Sequence, residues 1–107
     1  VVLLTTERFR STNPKTYAAV FAALQESITT LNADKRAAAD RYIKMTGDKS
    51  GTDAIYAMMA DPGFDYTLTP QKVGKTVQFM NRIGTVKTPV ASWKELFFAE
   101  AHGLPGD

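Results

Sequence analysis

The chain reads as a mostly α-helical segment of four to five helices preceded by a short N-terminal strand. Three observations predict this. Apolar residues recur at spacings of three and four over long stretches. Asn13-Pro14, Thr69-Pro70 and Ser92-Trp93-Lys94-Glu95 are helix-start signals, and Gly47, Gly84 and Asp61-Pro62-Gly63 are stops. Only one stretch, Val1–Thr6, has the β-branched and apolar character of a strand with nothing else to explain it.

Taken in order, Val1–Thr6 suits a short buried strand, and no later segment offers it an equal partner. A lone strand leaves its backbone donors and acceptors unsatisfied, so the partner is expected upstream. Asn13-Pro14 then opens a helix to about Asn32: Asn can cap free N–H groups, and Pro fits the first helical position. Tyr17, Val20, Phe21, Leu24, Ile28 and Leu31 form its apolar face. Asn32 or Asp34 caps a second helix over 33–45, with Ala37, Ala38, Tyr42 and Met45 as its stripe and Gly47 as its left-handed end.

A third helix covers 52–60, carries Ile55, Met58 and Met59, and stops at Asp61-Pro62-Gly63. Phe64 to Leu68 alternates apolar and polar residues and reads as extended, with Phe64, Tyr66 and Leu68 inward. Thr69-Pro70 starts a fourth helix marked by Val73, Val77, Met80 and Ile83, closed by Gly84. The Ser92 to Glu95 capping box starts a short fifth helix through Phe98. The helical region therefore covers 13–98 within a single segment, 1–107. Residues 99–107 form a tail, with 101–107 a loose surface stretch.

Composition narrows the function. An apolar fraction of 44% suits a globular chain. The net charge is only +2, and Asp34, Lys35, Arg36, Asp40, Arg41 and Lys44 alternate in sign. That pattern marks a solvated helix surface rather than the basic stripe of a nucleic-acid binder. The chain has no cysteine, which excludes disulfides, thiolate metal sites and thiol nucleophiles. No apolar run approaches the roughly 20 residues needed to span a bilayer. Val1-Val2-Leu3-Leu4 is too short for the apolar region of a signal peptide, and there is no initiator Met. The chain is expected to be a processed product or a piece of something longer.

Each candidate site has a plainer explanation. His102 is the only histidine and has no cluster of ligands or partner acid beside it. Gly47 and Gly51 around Asp48-Lys49-Ser50 join two helices, whereas a phosphate loop follows a strand and ends in Gly-Lys-Ser/Thr. Asp48, Ser50 and Asp53 hint at a calcium loop, but the twelfth position, which should be Glu, is Met59. Met45, Met58, Met59 and Met80 fall on apolar stripes and read as core. Trp93, Phe97 and Phe98 read as rings folded back onto the body. The starts near Asn13 and Thr69 could attract anions, but capping explains both residues. No catalytic residue, metal site or cofactor is assigned, no ligand-binding residue is identified, and no enzyme activity is expected.

Several strings add a resemblance. Thr6-Glu7-Arg8-Phe9, Asn13-Pro14-Lys15-Thr16 and the alanine-rich helix after them come first. Phe64-Asp65-Tyr66-Thr67-Leu68-Thr69-Pro70 and Phe79-Met80-Asn81-Arg82-Ile83-Gly84-Thr85-Val86-Lys87 follow. Last come Ala91-Ser92-Trp93-Lys94-Glu95-Leu96-Phe97-Phe98 and Glu100-Ala101-His102-Gly103-Leu104-Pro105-Gly106. In this order they resemble the C-terminal part of periplasmic solute-binding proteins of the nitrate/sulfonate/taurine ABC-importer type, relatives of the thiamine-pyrimidine-precursor binders. Ala99 departs from the pattern, where proline is common. The resemblance covers nearly all of this chain and the last third of such a protein.

It implies the C-terminal segment of a two-lobed α/β fold, with 1–6 a crossover-strand remnant and the helices packed outside the lobes. It also implies an exported, periplasmic or extracytoplasmic protein that delivers a small sulfonate, nitrate-like anion or related metabolite to an ABC permease. No residue here matches a ligand-binding motif of that family. A free-standing helical interaction module is the competing expectation. The isolated chain is expected to form a homo-dimer through exposed apolar faces.

Overall fold

A computed structural model describes residues 2–107. The protein is mostly helical, as expected: α1 Glu7–Thr12, α2 Pro14–Ala33, α3 Lys35–Thr46, α4 Thr52–Ala60 and α5 Val73–Arg82, then short 3-10 turns at Trp93–Leu96 and Ala99–Ala101. The chain divides into two compact units, Val1–Tyr66 and Thr67–Asp107.

In the first unit, the strand expected over Val1–Thr6 does not form. Val1 lies outside the described residues, and residues 2–6 adopt no regular structure. Among the described residues there is no strand for them to pair with, and a strand exists only through its ladder partner. Instead Thr6 caps a helix that the sequence reading missed. Its Oγ1 accepts from the Phe9 amide at 3.0 Å, with Glu7 in the first turn. This α1 ends at Asn13 because Pro14 disfavours helical geometry in the residue before it. The Asn13 side chain does not cap α2 as expected. Its Nδ2 donates backward, to the Phe9 carbonyl at 3.2 Å and Thr12 Oγ1 at 2.9 Å.

Along α2, Tyr17, Phe21, Leu24, Ile28 and Leu31 are half-buried, matching the expected stripe, while Val20 stays 56% exposed. Asp34 caps α3, its Oδ1 accepting from the Ala37 amide at 2.9 Å. The inward face of α3 is rotated from the expected one. Ala39 is fully buried, Ala38 and Ile43 are half-buried, and Tyr42 and Met45 are 44% and 80% exposed. The physical reason is the close packing of α3 on α4, which takes a methyl group more readily than a long side chain. Gly47 ends α3 at φ 66°, where a Cβ would be strained. The bounds of α4 match the expected ones, with Ile55 and Met59 half-buried. Asp61 Oδ1 accepts from the Gly63 amide at 2.7 Å and turns the chain. Asn32 Nδ2 donates to the Tyr66 carbonyl at 2.8 Å, and Lys35 Nζ lies 5.7 Å from the Tyr66 ring, so the unit's last residue is tied to the α2–α3 corner. Of the inward trio expected around it, Phe64 is 56% exposed, and Tyr66 and Leu68 are half-buried.

In the second unit, Pro70 is buried and does not start a helix. Its role as helix start passes to Asp107. The Asp107 side chain accepts from the Lys72 amide, and its carbonyl accepts from Val73 at 3.0 Å and Gly74 at 3.3 Å. The Asp107 amide donates to the Pro70 carbonyl at 3.2 Å. The tail expected to be loose is therefore fastened to the start of α5, because the first amides of a helix need acceptors and Asp107 brings two. The Ser92 capping box forms as expected, with Glu95 Oε1 accepting from the Ser92 amide at 3.0 Å. It opens only a four-residue 3-10 turn, since Phe97 is extended. Trp93 is the buried centre of this unit at 9% exposure.

Candidate functional site

The positions singled out in the sequence are spent on structure. His102 Nε2 lies 2.8 Å from both the Lys94 and the Phe97 carbonyl oxygens, so that nitrogen carries the proton and donates to them. Its ring stands edge-on to Trp93 at 6.2 Å, as does Phe97 at 5.8 Å. Trp93 is buried, and Phe97 and Phe98 are half-buried.

The Asp48-Lys49-Ser50 loop is a helix connection. Asp48 Oδ1 accepts from the Ser50 amide at 2.7 Å, and hydrogen bonds from Ser50 and Tyr42 hold the Asp48 carboxyl below its ordinary pKa. Asp53, the other acid of the calcium candidate, pairs with Arg36 at 2.5 Å. Among the described residues no group of three or more His, Asp or Glu side chains is placed to hold a metal. Thr69 and Asn13 do not cap helices with their side chains.

Two of the four methionines expected in the core are exposed. Met59 and Met80 are half-buried, but Met45 is 80% and Met58 61% exposed. Met58 lines a feature not legible in the sequence, an apolar groove in the first unit of about 370 Å³. Leu31 of α2, Ala38 and Tyr42 of α3, and Ile55 and Met59 of α4 contribute to it, with Tyr66 at one side. Such a volume is in the range of small-molecule sites. Those sites also carry a few convergent polar groups that fix a ligand's orientation, and here the polar contribution is small. The groove suits an apolar surface better than a polar solute.

The amount of exposed apolar side chain is unusual. Leu3, Leu4, Val20, Met45, Met58, Phe64, Phe79 and Ile83 are all more than half exposed, and among the described residues no large side chain is fully buried. The accessible surface is 8214 Å². Two separately folded bodies of these lengths would together expose about 7,000 Å² by the scaling for monomeric proteins. The chain thus exposes more surface than two closed bodies of these sizes would.

Among the described residues no helix is long and apolar enough to cross a membrane. Comparisons with protein-family models, with curated proteins and with solved structures found no match to this chain.

Proposed function

We propose that the chain is the C-terminal portion of an extracytoplasmic solute-binding protein, of the type that delivers a small sulfonate, nitrate-like anion or related metabolite to an ABC permease. The ordered strings from Thr6 to Gly106 support the family. The observation that carries the mechanical part is the exposed apolar surface of the helices, with a groove already shaped between α2, α3 and α4. Amphipathic helices of this kind act by covering a sheet, and a sheet face left bare would be unstable in water. In this reading the chain does no chemistry. It holds two lobes in register, and the solute contacts lie in upstream loops.

The same exposure would also serve a free-standing helical module that binds a protein partner. The two readings part at the gene. The first requires roughly 200 upstream α/β residues behind an export signal. The longer product should then bind taurine or nitrate in a calorimetric titration, and the isolated 107-residue chain should not. A stop codon immediately before Val1, or tight sulfonate binding by the isolated chain, would refute the solute-binding reading.

A further inference from the structure

The alternation of charge seen along α3 does not hold further on. From Tyr66 to Lys94 the sequence contains Lys72, Lys75, Arg82, Lys87 and Lys94 and no Asp or Glu. The centre of this stretch is α5, Val73–Arg82. Its inward side is Val73, Val77 and Met80, all half-buried. Its opposite side carries Lys75, Phe79 and Arg82 at i, i+4 and i+7, with Ile83 at i+8, and all four are exposed. Phe79 is 51% and Ile83 58% exposed, and the Arg82 guanidinium lies 5.8 Å from the Phe79 ring centre. Two nearby acids are committed to backbone amides: Asp107 to Lys72, and Glu95 to Ala91 and Ser92.

We propose that this outer face of α5 docks on an anionic lipid bilayer surface. The argument is charge complementarity joined to exposed apolar side chains on one stripe. Lys75 and Arg82, with no acid on α5 itself, are attracted by the averaged negative potential of anionic headgroups, whatever their exact positions. Phe79 and Ile83 can enter the boundary between headgroups and acyl chains. Arg82, now folded over the Phe79 ring, has an apolar stem long enough to let its guanidinium rise to the phosphates as the ring goes in. A nucleic acid would use the cations and the Phe79 ring, but an exposed aliphatic residue such as Ile83 has no part in base stacking. The inference rests on the second unit alone and does not depend on the solute-binding reading.

Flotation of the full chain with vesicles tests it. The chain should float with phosphatidylcholine vesicles containing one-third phosphatidylglycerol at low salt, but not with phosphatidylcholine alone, and binding should fall as salt rises. Lys75→Gln and Arg82→Gln should each weaken partitioning about fivefold, from roughly 1 kcal/mol per cation near the surface. Phe79→Ser should weaken it as well, Lys75→Arg should retain it, and Lys15→Gln in the first unit should change nothing. Circular dichroism of each variant guards against misfolding. Equal binding to neutral vesicles, no flotation at low salt, an equal loss with Lys15→Gln, or tighter binding to duplex DNA or an acidic polypeptide than to the anionic vesicles would each overturn the proposal.

Discussion

Replacing Trp93 with alanine should unfold the second unit while sparing the first. Trp93 is that unit's only buried large side chain among the described residues, walled by Phe97, His102 and Gly106. A ring of this kind buries 150–250 Å², which at about 25 cal/mol per Å² is worth about 4–6 kcal/mol as an upper figure. Substitutions of buried Trp by Ala cost about 3–5 kcal/mol. A unit the length of Thr67–Asp107 has about 2–6 kcal/mol of stability in all. The loss is therefore as large as the total.

Hydrogen exchange reads the outcome residue by residue. The Val73 and Gly74 amides, held by the Asp107 carbonyl, should lose protection, and the Gly47 amide, held by Ile43, should keep it. A companion variant sharpens the test. A Cβ on Gly106 would lie 2.8 Å from Cε2 and Cζ2 of Trp93 and 3.0 Å from the Pro70 carbonyl oxygen. Gly106→Ala should cost about 1–3 kcal/mol by overpacking, and less in a Trp93→Phe background, where the ring is smaller. Unchanged protection at Val73 and Gly74 in Trp93→Ala, or equal loss across α3 and α4, would refute the assignment of Trp93 as the centre of this unit.

Other expectations can be checked more briefly. The isolated chain should self-associate through its exposed apolar side chains, and sedimentation velocity showing a compact monomer at high concentration would contradict this. Asp34→Ala removes the α3 cap and should cost about 1 kcal/mol in urea denaturation; no change would mean the cap is made otherwise. The Lys44 ammonium, hydrogen-bonded to Asp40 at 2.6 Å, holds the Asp40 carboxyl below its ordinary range, helped by the Thr52 hydroxyl and by Arg36. A depressed folded pKa stabilises above the unfolded value of about 3.9 and is lost as pH falls through the folded pKa. Wild type should therefore exceed Asp40→Asn in thermal stability near neutrality, and the difference should begin to shrink as pH falls toward about 4 and disappear only once pH has passed below the folded pKa; a gap that does not shrink in acid would show a packing effect instead.

Most helices were legible because their signals are local. The bounds of α4 follow from Gly51-Thr52 and Asp61-Pro62, and the α2 stripe from strict three-and-four spacing. The first helix is not expected because Thr6 reads as the end of a strand, whereas its side chain caps the amide of Phe9 and outweighs weak strand propensity. The start of α5 was misplaced because its acceptor, Asp107, lies 35 residues away in sequence. The inward face of α3 was misjudged because the run Ala37-Ala38-Ala39 offers adjacent alternatives for one stripe, and packing on α4 selects Ala39.

The sequence by itself determined helical class, the Asp34 and Ser92 caps, the stops at Gly47 and Asp61-Pro62, and the absence of thiols, since these depend on residues within one turn of each other or on composition. Tertiary structure alone decided which side of α3 is buried and that the tail clamps α5. Those outcomes depend on which distant groups compete for the same space and the same hydrogen-bond donors, and linear spacing carries no record of that competition.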